Sequence, residues 1–220
     1  MGTITMARST SFYSILASSS RSAEIPESED VYGWLVGDWE LEVLHYKAAN
    51  VSAQGIKGEA HFGWVLEGRA IQDVWIMPRV SERTPATSKM NNMYGTTLRI
   101  WDPALGAWHI RWFNPVTNHF ESQIGRRIGS DIVQVGARAD GTATRWRFTE
   151  ITPESFHWIG ESLAWERTNV EDRGRVPGKT NSFVNHHGKE TQLWIMTKLY
   201  VSMWQPSSKA AMRMPHSRQR

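Results

Sequence analysis

The sequence predicts an all-β fold, an antiparallel up-and-down β-barrel flanked by disordered basic tails. Three observations carry this. Runs of apolar–polar alternation recur between residues 31 and 162, the period of strands with one buried face. Turn signals separate them at hairpin spacing, among them Glu67-Gly68, Asp140-Gly141 and the stretches 102–106 and 114–118. No amphipathic helical pattern intervenes. Meandering strands must close or expose their edges, and a barrel removes the edges.

The first run, 31–46, opens with an apolar turn and then alternates, with Trp39, Leu41, Val43 and His45 on one face. Residues 59–66 follow, with Ala60, Phe62, Trp64 and Leu66 aligned, and the chain returns over 69–77. Both faces of that third strand carry large apolar groups, so alternation leaves its inward face undecided. Pro78 ends it, and 79–92 is a polar loop. Strands are expected at 94–101 and at 107–113, where Trp108, Ile110 and Trp112 share a face. Further strands are expected at 120–128, 131–135, 142–149 and 156–162, making eight or nine in all. Regularity then fails over 163–189 and resumes over 192–204, an irregular insertion before a closing strand. The domain reading is therefore a leader and linker at 1–30, a barrel at 31–204 and a tail at 205–220.

Composition narrows the function classes. The formal charge is +3, from 25 basic and 22 acidic residues. Six of the bases (Arg8, Arg21, Lys209, Arg213, Arg218, Arg220) lie in terminal stretches without acids, so residues 24–204 hold 19 bases against 22 acids, a net −3. A nucleic-acid-binding face would concentrate positive charge on the folded body, so none is expected. Without cysteine there is no disulfide, thiolate nucleophile or Cys-ligated zinc. No apolar run reaches the roughly 18 residues that span a bilayer. The Ser-rich N-terminus leaves a transit peptide as the alternative to a cytoplasmic protein. Twelve tryptophans lie mostly inside strand-like runs, where indoles suit either the core or a pocket wall.

Several stretches together resemble a lipocalin-like (calycin) family of uncharacterised, mainly bacterial proteins. They are Leu35-Val36-Gly37-Asp38-Trp39, Gly68-Arg69-Ala70-Ile71-Gln72-Asp73-Val74-Trp75, Gly95-Thr96-Thr97-Leu98-Arg99 and Trp101-Asp102-Pro103. Trp108 with Trp112, Trp146-Arg147-Phe148, and Phe156-His157-Trp158 with Glu161 complete the pattern, which covers about residues 31–162. The resemblance implies a lipocalin-like barrel with an internal pocket and implies no reaction. It departs after Glu161, where the family's final strand follows a short Gly-rich turn.

The expected pocket wall is aromatic, drawn from Trp64, Trp75, Tyr94, Trp112, Trp146 and Trp158. Gln72, Arg99 and Asn114 are its expected polar contacts. His45, on the face of Trp39 near a barrel mouth, is an acid/base candidate, with a surface histidine as the alternative. Asp73 is either a pocket base or half of an ion pair with Arg99 or Arg111. His157 and Glu161 share a strand face and complete the acid/base set. The adjacent His186-His187 is poor metal-ligating spacing, so no metal is expected, and haem through one His is a minor alternative. Phosphate loops and a nucleophile elbow are absent.

The expected function is binding of a small apolar or aromatic molecule, without a cofactor. The alternatives are a cofactor-independent lyase, isomerase or hydrolase acting in the same pocket, or an interaction protein whose tryptophans are all core. A homodimer is left open.

Overall fold

The computed structural model describes residues 11–47, 49–87, 93–164, 195–196 and 198–206. Ten antiparallel strands form the barrel: β1 (Gly37–Lys47), β2 (Lys57–Val65), β3 (Ala70–Met77), β4 (Met93–Asp102), β5 (Ala107–Asn114), β6 (His119–Ile128), β7 (Asp131–Arg138), β8 (Ala143–Thr149), β9 (Ser155–Ala164) and β10 (Lys198–Trp204). Each pairs with its sequence neighbour, and β10 pairs with both β9 and β1, which closes the ring. The expected meander is therefore present with ten strands. The irregular stretch expected at 163–189 lies outside the described residues from 165 on, and so do His186 and His187. No helix among the described residues is long and apolar enough to cross a membrane.

Inward faces follow from burial. On β3 they are Ile71, Asp73 and Trp75; on β5, Trp108, Ile110, Trp112 and Asn114. This resolves the ambiguity of the third strand, because Gln72 and Val74 are only half-buried on the other face. On β6 the inward residues include Glu121 and Gln123, while Phe120 and Ile128 are exposed.

The stretch expected to be leader and linker is structured from Ser11 on. Residues 12–16 form a short helix, and Ala17 and Ser18 pair with Val65 and Trp64. The chain then runs tightly over the β2–β3 turn, where the Ser22 amide donates to the Gly68 carbonyl at 2.9 Å. A Cβ on Gly68 (φ +79°) would meet the Ser20 carbonyl oxygen at 2.2 Å, so this crossing requires glycine.

Residues 25–36 close the barrel end near the start of β1. Ile25, Val31, Tyr32 and Leu35 are buried there. Four indole or phenol groups meet their polar needs in this layer. Trp34 Nε1 donates to the Val31 carbonyl, Trp39 Nε1 to the Leu35 carbonyl and Trp108 Nε1 to the Glu29 carbonyl, while Tyr32 Oη accepts from Gln134 Nε2. The Tyr32 ring packs edge-on against Trp108 and Phe148, and Trp34 against Trp39, Phe148 and Phe156. Isolated apolar residues such as Ile25 and Val31 show no period, so only the open barrel end reveals what buries them.

Candidate functional site

The opposite end of the barrel holds a cavity of about 400 Å³. Its aromatic wall is a connected row of indoles. Trp75 lies 5.5 Å from Trp158, Trp158 lies 5.5 Å from Trp146, and Trp146 lies 6.2 Å from Trp112, centroid to centroid. Two glycines make room for the row. A Cβ on Gly95 would fall 2.4 Å from Cη2 of Trp112, and one on Gly160 would fall 2.5 Å from Cη2 of Trp158. Leu41, Val43 and Val201 extend this apolar side, and Tyr46, Met77 and Met93 border the cavity nearer the strand ends.

The floor is ionic. Arg99 Nη1 donates to Asp73 Oδ2 at 2.5 Å, with both side chains essentially excluded from solvent. Asp73 Oδ1 also accepts the Thr97 amide at 2.7 Å. Below the pair, the Arg99 guanidinium carbon sits 5.3 Å from the Tyr32 ring centroid, 5.7 Å from that of Phe62 and 5.9 Å from that of Phe148. These electron-rich faces favour the cation over an unlined apolar site. Burial pushes the Tyr32 phenol up to about 12, an effect reduced by the nearby Arg99 charge and the bond from Gln134.

The remaining wall is polar and comes from β5, β6 and β7. Glu121, buried, joins His119 Nε2 at 2.7 Å and accepts from Arg138 Nε at 3.2 Å and Gln123 Nε2 at 3.3 Å. Gln123 Nε2 also reaches Thr144 Oγ1 at 3.0 Å. Asn114 stands beside His119 in the β5–β6 ladder, and its Oδ1 accepts the Val116 amide at 3.2 Å.

Seven of the sequence-chosen residues border this one cavity: Trp75, Arg99, Trp112, Asn114, Trp146, Trp158 and Glu161. Strand alternation puts Glu161 opposite Trp158, however, and its carboxylate takes Arg145 Nε at 2.7 Å and Arg147 Nε at 3.5 Å. Asp73 lies beneath Arg99 as an ion-pair partner, the plainer of its two readings. Trp64 is inward but belongs to the core outside the cavity. Gln72 faces outward and donates to Thr96 Oγ1 at 3.0 Å. Tyr94 is 43% exposed under the Arg83 guanidinium, not a wall residue. His157 pairs with Glu150 at 3.2 Å, whereas the Glu161 carboxylate is paired with Arg145 and Arg147.

His45 is displaced by a β-bulge. Adjacent residues Tyr200 and Val201 of β10 oppose His45 and Val43, which leaves Leu44 as the extra residue of β1. The strand's phase shifts by one, and Tyr46 takes the cavity side that simple alternation assigns to His45. His119, Glu121 and Arg138 went unnoticed in the sequence. Their one signal is the polar alternation His119-x-Glu121-x-Gln123, set against a more conspicuous apolar set at Phe120, Ile124 and Ile128.

No family model matches the chain, and no curated protein matches it in sequence. Among the described residues no group of three or more His, Asp or Glu is arranged to hold a metal ion.

Proposed function

We propose that this protein binds a small, largely apolar or aromatic molecule in the cavity at one end of a lipocalin-like barrel. The observation that carries the reading is the indole row, Trp75–Trp158–Trp146–Trp112, facing a 400 Å³ space rather than packed side chains. A wall of this kind with a few aimed polar groups matches the general make-up of small-molecule sites. The end closed by residues 25–36 supports it too, because a pocket with a firm floor suits a carrier better than a channel. The lipocalin-like relationship rests on the sequence motifs together with the closed antiparallel ring.

The test is a ligand screen on the full chain by quenching of tryptophan fluorescence, with native mass spectrometry of gently purified protein for a retained occupant. Saturable one-to-one quenching that weakens in Trp146→Ala supports the reading. A flat response to every aromatic and aliphatic probe, with an unladen mass, overturns it in favour of a core-only role for the tryptophans.

One observation favours the enzymatic alternative. His119 and Glu121 form a histidine–carboxylate pair on the cavity wall, the arrangement that orients an imidazole for proton transfer. In that reading His119 is the acid/base group and Glu121 its positioning residue. The discriminating measurement is turnover of bound ligand by the native chain and by His119→Gln. A carrier keeps its affinity in the variant and releases ligand unchanged.

A further inference from the structure

Among the described residues the polar wall has hydrogen-bond donors to spare. Glu121 engages Arg138 only through Nε. The two Nη groups of Arg138 have no partner among the described residues, although the residue borders the cavity and its side chain is 37% exposed. Asn114 is 7% exposed, its Oδ1 is taken by the Val116 amide, and its Nδ2 has no described partner. Among the described cavity-lining residues and their partners the carboxylates are committed, Glu121 to His119, Arg138 and Gln123, Asp73 to Arg99 and Thr97, Glu161 to Arg145 and Arg147, while Asp140, at the β7–β8 turn outside the cavity, takes the Thr142 amide and lies within electrostatic reach of Arg138. A cationic ligand would therefore meet the indoles but find no open counter-charge, whereas an anion would meet a guanidinium and a primary amide.

Resting on the pocket reading above, we infer that the ligand is an aromatic carboxylate, with its ring among the four indoles and its carboxylate on Arg138 and Asn114. Glu121 has a positioning role. By holding Nε, it fixes the guanidinium plane and leaves the Nη groups for a planar oxyanion, whose two oxygens match that fork. His119 is tied through Nε2 to the same Glu121 oxygen and also borders the cavity.

Three naphthalene probes that differ only in head group separate this inference from the reading it rests on: 2-naphthoate, 2-naphthalenemethanol and 2-naphthylmethylammonium. Titration calorimetry on the full chain at pH 7.5 is expected to show naphthoate binding at least tenfold tighter than the alcohol, with the ammonium weakest. Arg138→Gln should remove most of that preference while leaving alcohol affinity within about threefold. Asn114→Asp keeps the acceptor for the Val116 amide and places a negative charge where the donor was, so it should weaken naphthoate at least tenfold and spare the alcohol. Equal affinity for all three probes, or preference for the ammonium, overturns the carboxylate assignment and leaves an apolar pocket standing. Binding of none of them overturns both. Circular dichroism and cooperative urea unfolding of each variant separate lost recognition from lost folding.

Discussion

Asp73→Asn is the substitution with the largest effect that the structure predicts. Asp73 and Arg99 are 0% and 1% exposed at their side chains, so neither charge has water to fall back on. Asparagine keeps the oxygen that accepts the Thr97 amide but removes the charge facing Arg99. Arginine stays ionised, so its buried charge is left without a counter-ion. Opposite charges about 4 Å apart at an effective dielectric near 20 interact by about 4 kcal/mol. The Tyr32, Phe62 and Phe148 rings already contribute in the native state and cannot replace that loss. The expected cost is about 3–5 kcal/mol, the usual penalty for breaking a buried pair. Urea unfolding followed by tryptophan fluorescence measures it, since Trp39 and Trp108 are buried in the same barrel. Arg99→Met removes the stranded charge, so Asp73→Asn/Arg99→Met should fall short of the summed single losses by at least about 2 kcal/mol. A loss below about 1 kcal/mol for Asp73→Asn, or strict additivity of the pair, would refute the reasoning.

Other expectations follow from single contacts. The Tyr32 phenol titrates near 12 when folded against about 10 when unfolded, so the unfolded chain loses its proton first. Stability from this group is therefore complete below about pH 10 and falls by about 2–3 kcal/mol as pH rises toward 12. Tyr32→Phe should lack that share of the alkaline loss, and parallel slopes in urea unfolding from pH 9 to pH 11.5 would contradict it. Gly95→Ala sets a methyl against Trp112 and the Phe113 carbonyl oxygen, at 2.7 Å from the latter, and should cost about 1–3 kcal/mol. It should also weaken probe binding by tilting Trp112, and an unchanged unfolding midpoint would show that the ring has room. Deletion of residues 1–30 removes Ile25, 3% exposed, and the Glu29 carbonyl that accepts from Trp108. Burial of one isoleucine alone is worth about 1.5–3 kcal/mol, so a deletion variant as stable as the full chain would show that residues 1–30 add nothing to the fold.

Hairpin order was legible because each strand's pattern and turn are local. Asp140-Gly141 needs only its own backbone to reverse the chain, and every expected strand from 31 to 162 lies in or overlaps a barrel strand. The tryptophan wall was partly legible for the same reason, since Trp108 and Trp112 alternate with polar residues on β5. Alternation failed where polarity and burial part company. On β6 and β7 the exposed residues include Phe120, Ile128 and Val135, while Glu121, Gln123 and Gln134 are buried. A pattern reader assigns the apolar set inward, but here hydrogen bonds join Glu121, Arg138, Gln123 and Thr144 across the inward face and Gln134 to Tyr32, although Gln123 Oε1 and Gln134 Oε1 have no partner among the described residues.

The sequence by itself determined an all-β chain of consecutive hairpins, its acidic body, its lack of cysteine and the aromatic weight of its strands. These are properties of composition and of neighbours a few residues apart. Tertiary structure alone decided three things. A bulge at Leu44 exchanged His45 for Tyr46 at the cavity, because strand phase depends on the partner's register. Residues 25–36 became the closed end, because scattered apolar groups acquire a burial site only when a barrel leaves one open. The site's charge pattern emerged from three strands, where Asn114, Glu121 and Arg138 meet across ladders that no local spacing records.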